Sequence, residues 1–204
     1  MIEQVDALRA QGAEIASFRG VLNGTCNFVL DQIASGKLYD EALREAQQIG
    51  YAEADPSLDV DGIDAAQKLS ILAHHAFDEH VDVDDIECIG ISGVNETWVQ
   101  EVAQSGGTVR LVAQYRRENG RVRGRVGLEA LPRQDRLSNV RGGGNCLEIA
   151  TSTSDTVVIN GRGAGRYPTA ESVVADVLSL ARSIRKQKTH NVVTVRQTTE
   201  GVLA

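Results

Sequence analysis

Residues 108–131 place the tightest constraint on how this chain can fold. Thr108–Arg116 and Arg121–Leu131 alternate apolar and polar side chains and are rich in Val and Arg, and Glu118-Asn-Gly120 joins them. Alternation of period two on both sides of an Asn-Gly pair is the mark of an antiparallel hairpin with one buried face. The sequence before it runs on a different period. Residues 2–10 read as a short helix and Glu14–Phe18 as a strand. Phe28–Ile33 reads as a helix stopping near Gly36, and Tyr39–Ile49 as a second helix with Gly50 where a C-terminal cap belongs. A long helix is expected from Asp61, as N-cap, to about Phe77, with Asp64 in a capping-box-like position. Asn95–Gln104 is expected to be helical. After the hairpin, Cys146–Ser152, Thr156–Asn160 and His190–Arg196 read as strands, and a helix is expected from Pro168 to about Lys188. Clusters of helices followed by clusters of strands predict an α+β fold: helices packed on one face of a mostly antiparallel or mixed sheet, with the other face or an edge open to a partner.

Charge and composition exclude several functions. The 204 residues carry 21 Lys and Arg against 28 Asp and Glu, a formal net charge of −7. A surface that acidic repels phosphate backbones, so no nucleic-acid partner is expected, and the arginines at 116, 117, 121, 123 and 125 are expected on a solvated hairpin face. No apolar run approaches the ~20 residues of a membrane helix, and the N-terminus lacks a secretory pattern. The three cysteines, Cys26, Cys88 and Cys146, form no CxxC pair and read as buried small residues in a chain expected in a reducing cytoplasm.

Most of the candidate chemistry lies in one stretch. Glu53, Asp55, Asp59, Asp61 and Asp64 fall within twelve residues, and Lys68 follows. Asp64 and Lys68, four apart, share a helix face in the favourable acid-before-base order. Ile63, Ala65, Ala66, Leu69, Ile71, Leu72 and Ala73 surround them, so the helix is expected to be buried on most sides. Two readings stand: a surface ion pair with a capping box, or a partly desolvated acid–lysine pair suited to proton transfer. A calcium loop starting at Ser57 fails, because Lys68 falls where the loop needs a bidentate Glu. His74, His75 and His80 do not share a face as a chelating pair would, and no metal is expected. Gly161-Arg-Gly-Ala-Gly165 follows a strand like a dinucleotide turn, but Arg166 replaces the third glycine. Asn23-Gly-Thr25, ahead of a helix, either aims backbone N–H groups at a carboxylate or is an ordinary turn and cap.

Four runs taken together resemble the catalytic part of homoserine dehydrogenase: Gly20-Val-Leu-Asn-Gly-Thr-Cys-Asn-Phe-Val-Leu30, Gly50-Tyr-Ala-Glu-Ala-Asp-Pro56, Asp59-Val-Asp-Gly-Ile-Asp-Ala-Ala-Gln-Lys-Leu69 and Gly161-Arg-Gly-Ala-Gly-Arg-Tyr-Pro-Thr-Ala170. The resemblance implies interconversion of L-aspartate 4-semialdehyde and L-homoserine with NAD or NADP, on the route to threonine, isoleucine and methionine. It implies Lys68 as proton donor and acceptor, with Asp64 beside it. Glu53, Asp59 and Asp64 are implied at the substrate, with Gly24 and Thr25 meeting its carboxylate and Tyr51 lining the pocket. Gly50 and Gly163 are implied along the cofactor. Cys26 stands where the family more often has Thr or Ser. The resemblance also implies a homodimer. It divides the chain into an interdomain remnant (1–18), a catalytic and dimerisation domain (19–188) and a C-terminal strand and tail (189–204). The family's nucleotide-binding domain, with its GxGxxG turn and second lysine, is expected to be missing and to be supplied in cis or in trans. The sodium-binding segment is not recognisable, and no regulatory ACT domain is expected. The alternative is a catalytically silent dimerisation or substrate-binding domain.

Overall fold

Six strands form one sheet in the order β2-β4-β3-β1-β5-β6. They are β1 (Ile15–Val21), β2 (Glu87–Cys88), β3 (Thr108–Glu118), β4 (Arg121–Leu131), β5 (Gly144–Thr151) and β6 (Thr156–Arg162). All neighbours are antiparallel except β2 and β4, so the sheet is mixed, as the sequence leads one to expect. The structure, a computed structural model, describes residues 1–162 except 79, 119, 120, 154 and 155, and beyond them helical positions 170, 173–178, 180–182, 184 and 185. The hairpin turn, Gly163, the ends of the helix expected at Pro168–Lys188 and the strand expected at His190–Arg196 lie outside the described residues. The chain divides into two compact units, Met1–Ala164 and Gly165–Ala204.

In the first unit the pleat sorts side chains onto the two faces. Phe18, Val109, Leu111, Ala113, Tyr115, Val126, Leu147 and Ile149 join the main core beneath the helices. Phe18, Phe77 and Tyr115 stack there at 5.2–5.8 Å between ring centres. Val21, Val112, Leu131 and Cys146 point the other way and are covered by Leu137. The helices are α1 (Ile2–Ala10), α2 (Gly24–Ala34), α3 (Tyr39–Gln48), α4 (Ser57–Val60), α5 (Ile63–Phe77) and α6 (Glu96–Gln104).

Three local expectations need correction. The helix expected from Phe28 begins four residues earlier, because the Asn23 side chain caps it by accepting from Cys26 N at 2.8 Å. Asp61 does not cap α5. It closes the short helix α4 inside the expected loop, and Gly62 precedes α5 at φ +83° with no side-chain cap. A Cβ at Gly62 would also sit 2.9 Å from Cys88 Sγ, so glycine is required there. Finally, α5 is buried on one face only. Ala65, Ala66, Leu69, Leu72, Ala73 and Ala76 are buried, whereas Ile63 and Ile71 are exposed.

Candidate active site

The first turn of α2 and the segment from Tyr51 to Lys68 meet at one corner of the molecule. Asn23 sits at the junction with its side chain buried. Its Oδ1 is committed to the Cys26 N–H, so its Nδ2 must face outward. That amide donates to Asp59 Oδ1 at 2.7 Å and to Asp64 Oδ2 at 2.9 Å. Asp64 Oδ2 also accepts from Lys68 Nζ at 2.7 Å, and Lys68 donates to Leu22 O at 3.1 Å. Thr25 Oγ1 lies 2.7 Å from Tyr51 O and 3.2 Å from Asp59 Oδ2, and Cys26 Sγ lies 3.2 Å from Asp59 O. One helical turn therefore brackets the carboxylate segment at three points.

The two readings of the acid–lysine pair can now be weighed. The i,i+4 ion pair forms, with the Lys68 side chain 41% and the Asp64 side chain 28% exposed. An isolated pair that open is worth little. This pair is not isolated: the Leu22 carbonyl and the Asn23 amide converge on it, fixing where the ammonium points. The capping box expected with a surface ion pair is absent. Nearby, burial first and then the charges of Asp59 and Asp64 push the Cys26 thiol well above its ordinary value, so it remains a protonated thiol and not a nucleophile. Burial likewise pushes Tyr39 up to about 12.

A third wall comes from across the sheet. Asn27, fully buried, donates to Gly144 O at 3.1 Å and Gly142 O at 3.4 Å, holding the strand-leading run Arg141–Gly144 against α2. The approach is so close that a Cβ on Gly24 would lie 2.8 Å from Gly143 Cα. A Cβ on Gly142 would lie 3.3 Å from the Tyr51 hydroxyl, and Tyr51 stacks on Phe28 at 5.1 Å.

Of the residues singled out in the sequence, the structure gathers Lys68, Asp64, Asp59, Thr25, Gly24 and Tyr51. Glu53 is exposed on the loop after α3, and its main-chain carbonyl accepts from Gln47. Gly50 has φ +79° and no atom within 4 Å of where a Cβ would stand, so the space beside it is open. Cys88 is exposed, contrary to expectation, because β2 lies at the sheet edge. His75 pairs with Asp6 at 2.8 Å, away from this corner. Among the described residues, no group of three or more His, Cys, Asp or Glu side chains is placed to hold a metal ion. A concavity on the outer face of the sheet, lined by Asp85, Glu87, Gln114, Arg116, Arg123 and Arg125, lies apart from Asp59, Asp64 and Lys68. The Leu22 carbonyl, the 141–144 run and the bridge that the Asn23 amide makes between Asp59 and Asp64 escaped the sequence reading. Asn before Gly-Thr signals a cap, but nothing local signals which carboxylates its amide will meet.

Known proteins of one family match this chain along most of its length. The family model for homoserine dehydrogenase matches residues 1–178. The chain belongs to the homoserine dehydrogenase family. It is 38% identical over 178 residues to the homoserine dehydrogenase of Corynebacterium glutamicum, covering 84% of this chain and 40% of that protein. It is 32% identical over 180 residues to the NAD(+)-dependent homoserine dehydrogenase of Pseudomonas canavaninivorans, covering 88% and 51%. Among solved structures, the homoserine dehydrogenase of Thiobacillus denitrificans superposes with a TM-score of 0.82 at 34% identity, covering 89% of this chain and 42% of that one. A hyperthermophilic archaeal homoserine dehydrogenase in complex with NADPH gives 0.72 at 31% identity, covering 85% and 49%. The chain thus spans between 40% and 51% of the length of these two curated homoserine dehydrogenases.

Proposed function

We propose that this chain is the substrate-binding and proton-transfer part of a homoserine dehydrogenase, acting with a nucleotide-binding domain in the NAD(P)-dependent interconversion of L-aspartate 4-semialdehyde and L-homoserine. The observation that carries the proposal is the Lys68 ammonium, held by Asp64 and the Leu22 carbonyl at an open corner of the molecule. Reduction of an aldehyde builds negative charge on its oxygen, and a fixed ammonium both stabilises that charge and donates the proton. In the reverse direction the same nitrogen, deprotonated, takes the hydroxyl proton as hydride leaves the carbon. Asp64 orients the lysine and, with Glu53, supplies negative charge for the substrate ammonium. Asp59 supports Asp64 through their shared hydrogen-bond donor. The Gly24 and Thr25 N–H groups, in the uncapped part of the first turn of α2, offer donors to the substrate carboxylate. Tyr51 closes that side.

A bound nicotinamide cofactor would supply or accept the hydride. Gly50 offers it an open surface, and Gly163, outside the described residues, is the other position assigned to it. The choice between NAD and NADP belongs to the nucleotide-binding domain. A homodimer, a cytoplasmic site of action and a place before threonine, isoleucine and methionine are parts of the same proposal. Among the described residues, no helix is long and apolar enough to cross a membrane.

The test is homoserine-dependent NAD(P) reduction, followed at the nicotinamide absorbance. The chain is assayed alone and fused or mixed with the nucleotide-binding half of a relative. Activity with that half, lost in Lys68→Ala, is the expected result. Turnover that survives Lys68→Ala refutes the proton-transfer role. Self-association without turnover in the fused protein would favour a silent assembly domain.

A further inference from the structure

We infer that Asn23 is a positioning residue for this reaction, and that its amide, by bridging Asp59 and Asp64, sets where the Lys68 ammonium stands. The inference rests on the proposed function for its catalytic half and on geometry alone for its structural half.

Both ends of the Asn23 side chain are committed. Its carbonyl oxygen caps α2, which removes the freedom to flip, so the NH2 group is the end presented to the acids. Each of its two N–H bonds has a carboxylate, at 2.7 Å and 2.9 Å, and the residue is 4% exposed. Asp59 is held completely: one oxygen by Asn23, the other near Thr25 Oγ1, its main-chain carbonyl by Cys26. Asp59 therefore acts as an anchor, fixed from α2. Asp64 is different. Its Oδ2 takes hydrogen bonds from both Asn23 and Lys68. The line from anchor to ammonium thus runs Asp59, Asn23, Asp64, Lys68, and Asn23 is its one neutral link. Without that link two like charges face each other with no donor between them. Asp64 then turns toward solvent, and Lys68 follows it away from the Leu22 carbonyl.

A cap and a bridge predict different rankings of substitutions. Asn, Asp and Ser are equally good N-caps, and Ala is a poor one. If Asn23 only caps α2, Asn23→Ser and Asn23→Asp match the parent and Asn23→Ala alone is impaired. If it bridges, Asn23→Ser loses both donors while keeping the cap, and Asn23→Asp is worst, because it puts a third carboxylate against Asp59 and Asp64. The groups facing position 23 are Asp59, Asp64 and Lys68, with the protonated Cys26 thiol one turn on.

The first measurement is thermal unfolding of the four proteins at neutral and mildly acidic pH, which needs no activity. The bridge predicts Asn23→Asp below Asn23→Ser at neutral pH. The new carboxyl, crowded by like charges, has a folded-state pKa above its unfolded value. Asn23→Asp therefore regains stability relative to Asn23→Ser as the pH falls through that folded-state pKa. Equal midpoints for the two at neutral pH overturn the inference. The second measurement is turnover in the fused enzyme. The expected fall in kcat for Asn23→Ser is on the order of tenfold to a hundredfold, with a smaller change in KM, as for a displaced catalytic group. Parental kcat in Asn23→Ser overturns the positioning role. If the parent fusion itself fails to oxidise homoserine, the proposed function falls, and the bridge is still decided by the stability ranking.

Discussion

Lys68 keeps much of its side chain in water, so its place is fixed by hydrogen bonds and not by packing. The stem lies along α5, while the charged end reaches Asp64 and the Leu22 carbonyl. Removing it should therefore cost activity and little stability: Lys68→Ala is expected to unfold within about 1 kcal/mol of the parent, as read by chemical denaturation. The cysteines make a second contrast at this scale. Cys26 and Cys146 are buried and Cys88 is exposed. Burial pushes the Cys26 and Cys146 thiols above their ordinary value, and the Cys88 thiol, whose sulfur is partly desolvated against Gly62, is raised as well, with Asp61 adding to the shift. Titration of the native protein with an aromatic disulfide reagent should thus modify one thiol, and slowly. Cys88→Ala should abolish that native reaction, and denaturant should release the other two.

Elements are joined here by charge as well as by apolar contact. Arg110, near the start of β3, is 1% exposed, and its guanidinium donates to Asp31 on α2 at 2.7 Å and to Val140 O at 2.8 Å. That single side chain ties the helix whose first turn builds the site to the segment leading into Arg141–Gly144. Burial lowers its pKa, opposed by Asp31, and the pairing keeps the charge tolerable inside the fold. Asp31→Ala should destabilise by about 3–5 kcal/mol, because it leaves the buried Arg110 guanidinium without its counter-charge. Arg110→Met, which removes the buried charge itself and leaves only the wetter Asp31 unpaired, should cost less, and equilibrium denaturation of both variants checks the order. On the outer face of the sheet, Arg19 plays a milder version of this part. It lies 3.0 Å from Asp135, 3.5 Å from Glu148 and 3.6 Å from Glu129, half-exposed.

At the scale of the whole molecule, the two apolar clusters found among the described residues are built from residues of the first unit. In the second unit the described apolar side chains, among them Val173, Val177, Leu178 and Leu180, are exposed. Residues 1–164, which hold both of these clusters, should unfold cooperatively when expressed alone, in a thermal scan followed by far-ultraviolet circular dichroism. A broad, non-cooperative transition would show that the second unit is needed for the first to fold.

Much of the fold was legible in the sequence because periodicity and caps are local. The alternation of 108–131 gave β3 and β4, the spacing after Gly62 gave α5, and Gly50 marked the end of α3. The run from Glu53 to Lys68 and its family motif located the acid–lysine pair before any coordinates. Tertiary structure alone decided what those residues meet. A cap signal at Asn23 cannot say that its amide will bridge carboxylates 36 and 41 residues later. Apolar residues all round α5 cannot say which face stays in water. A glycine run at 142–144 cannot announce that it will cross the start of a helix more than a hundred residues earlier. Helices and turns are set by neighbours a few residues apart, whereas an active site is a meeting of distant segments, and that meeting is fixed by packing.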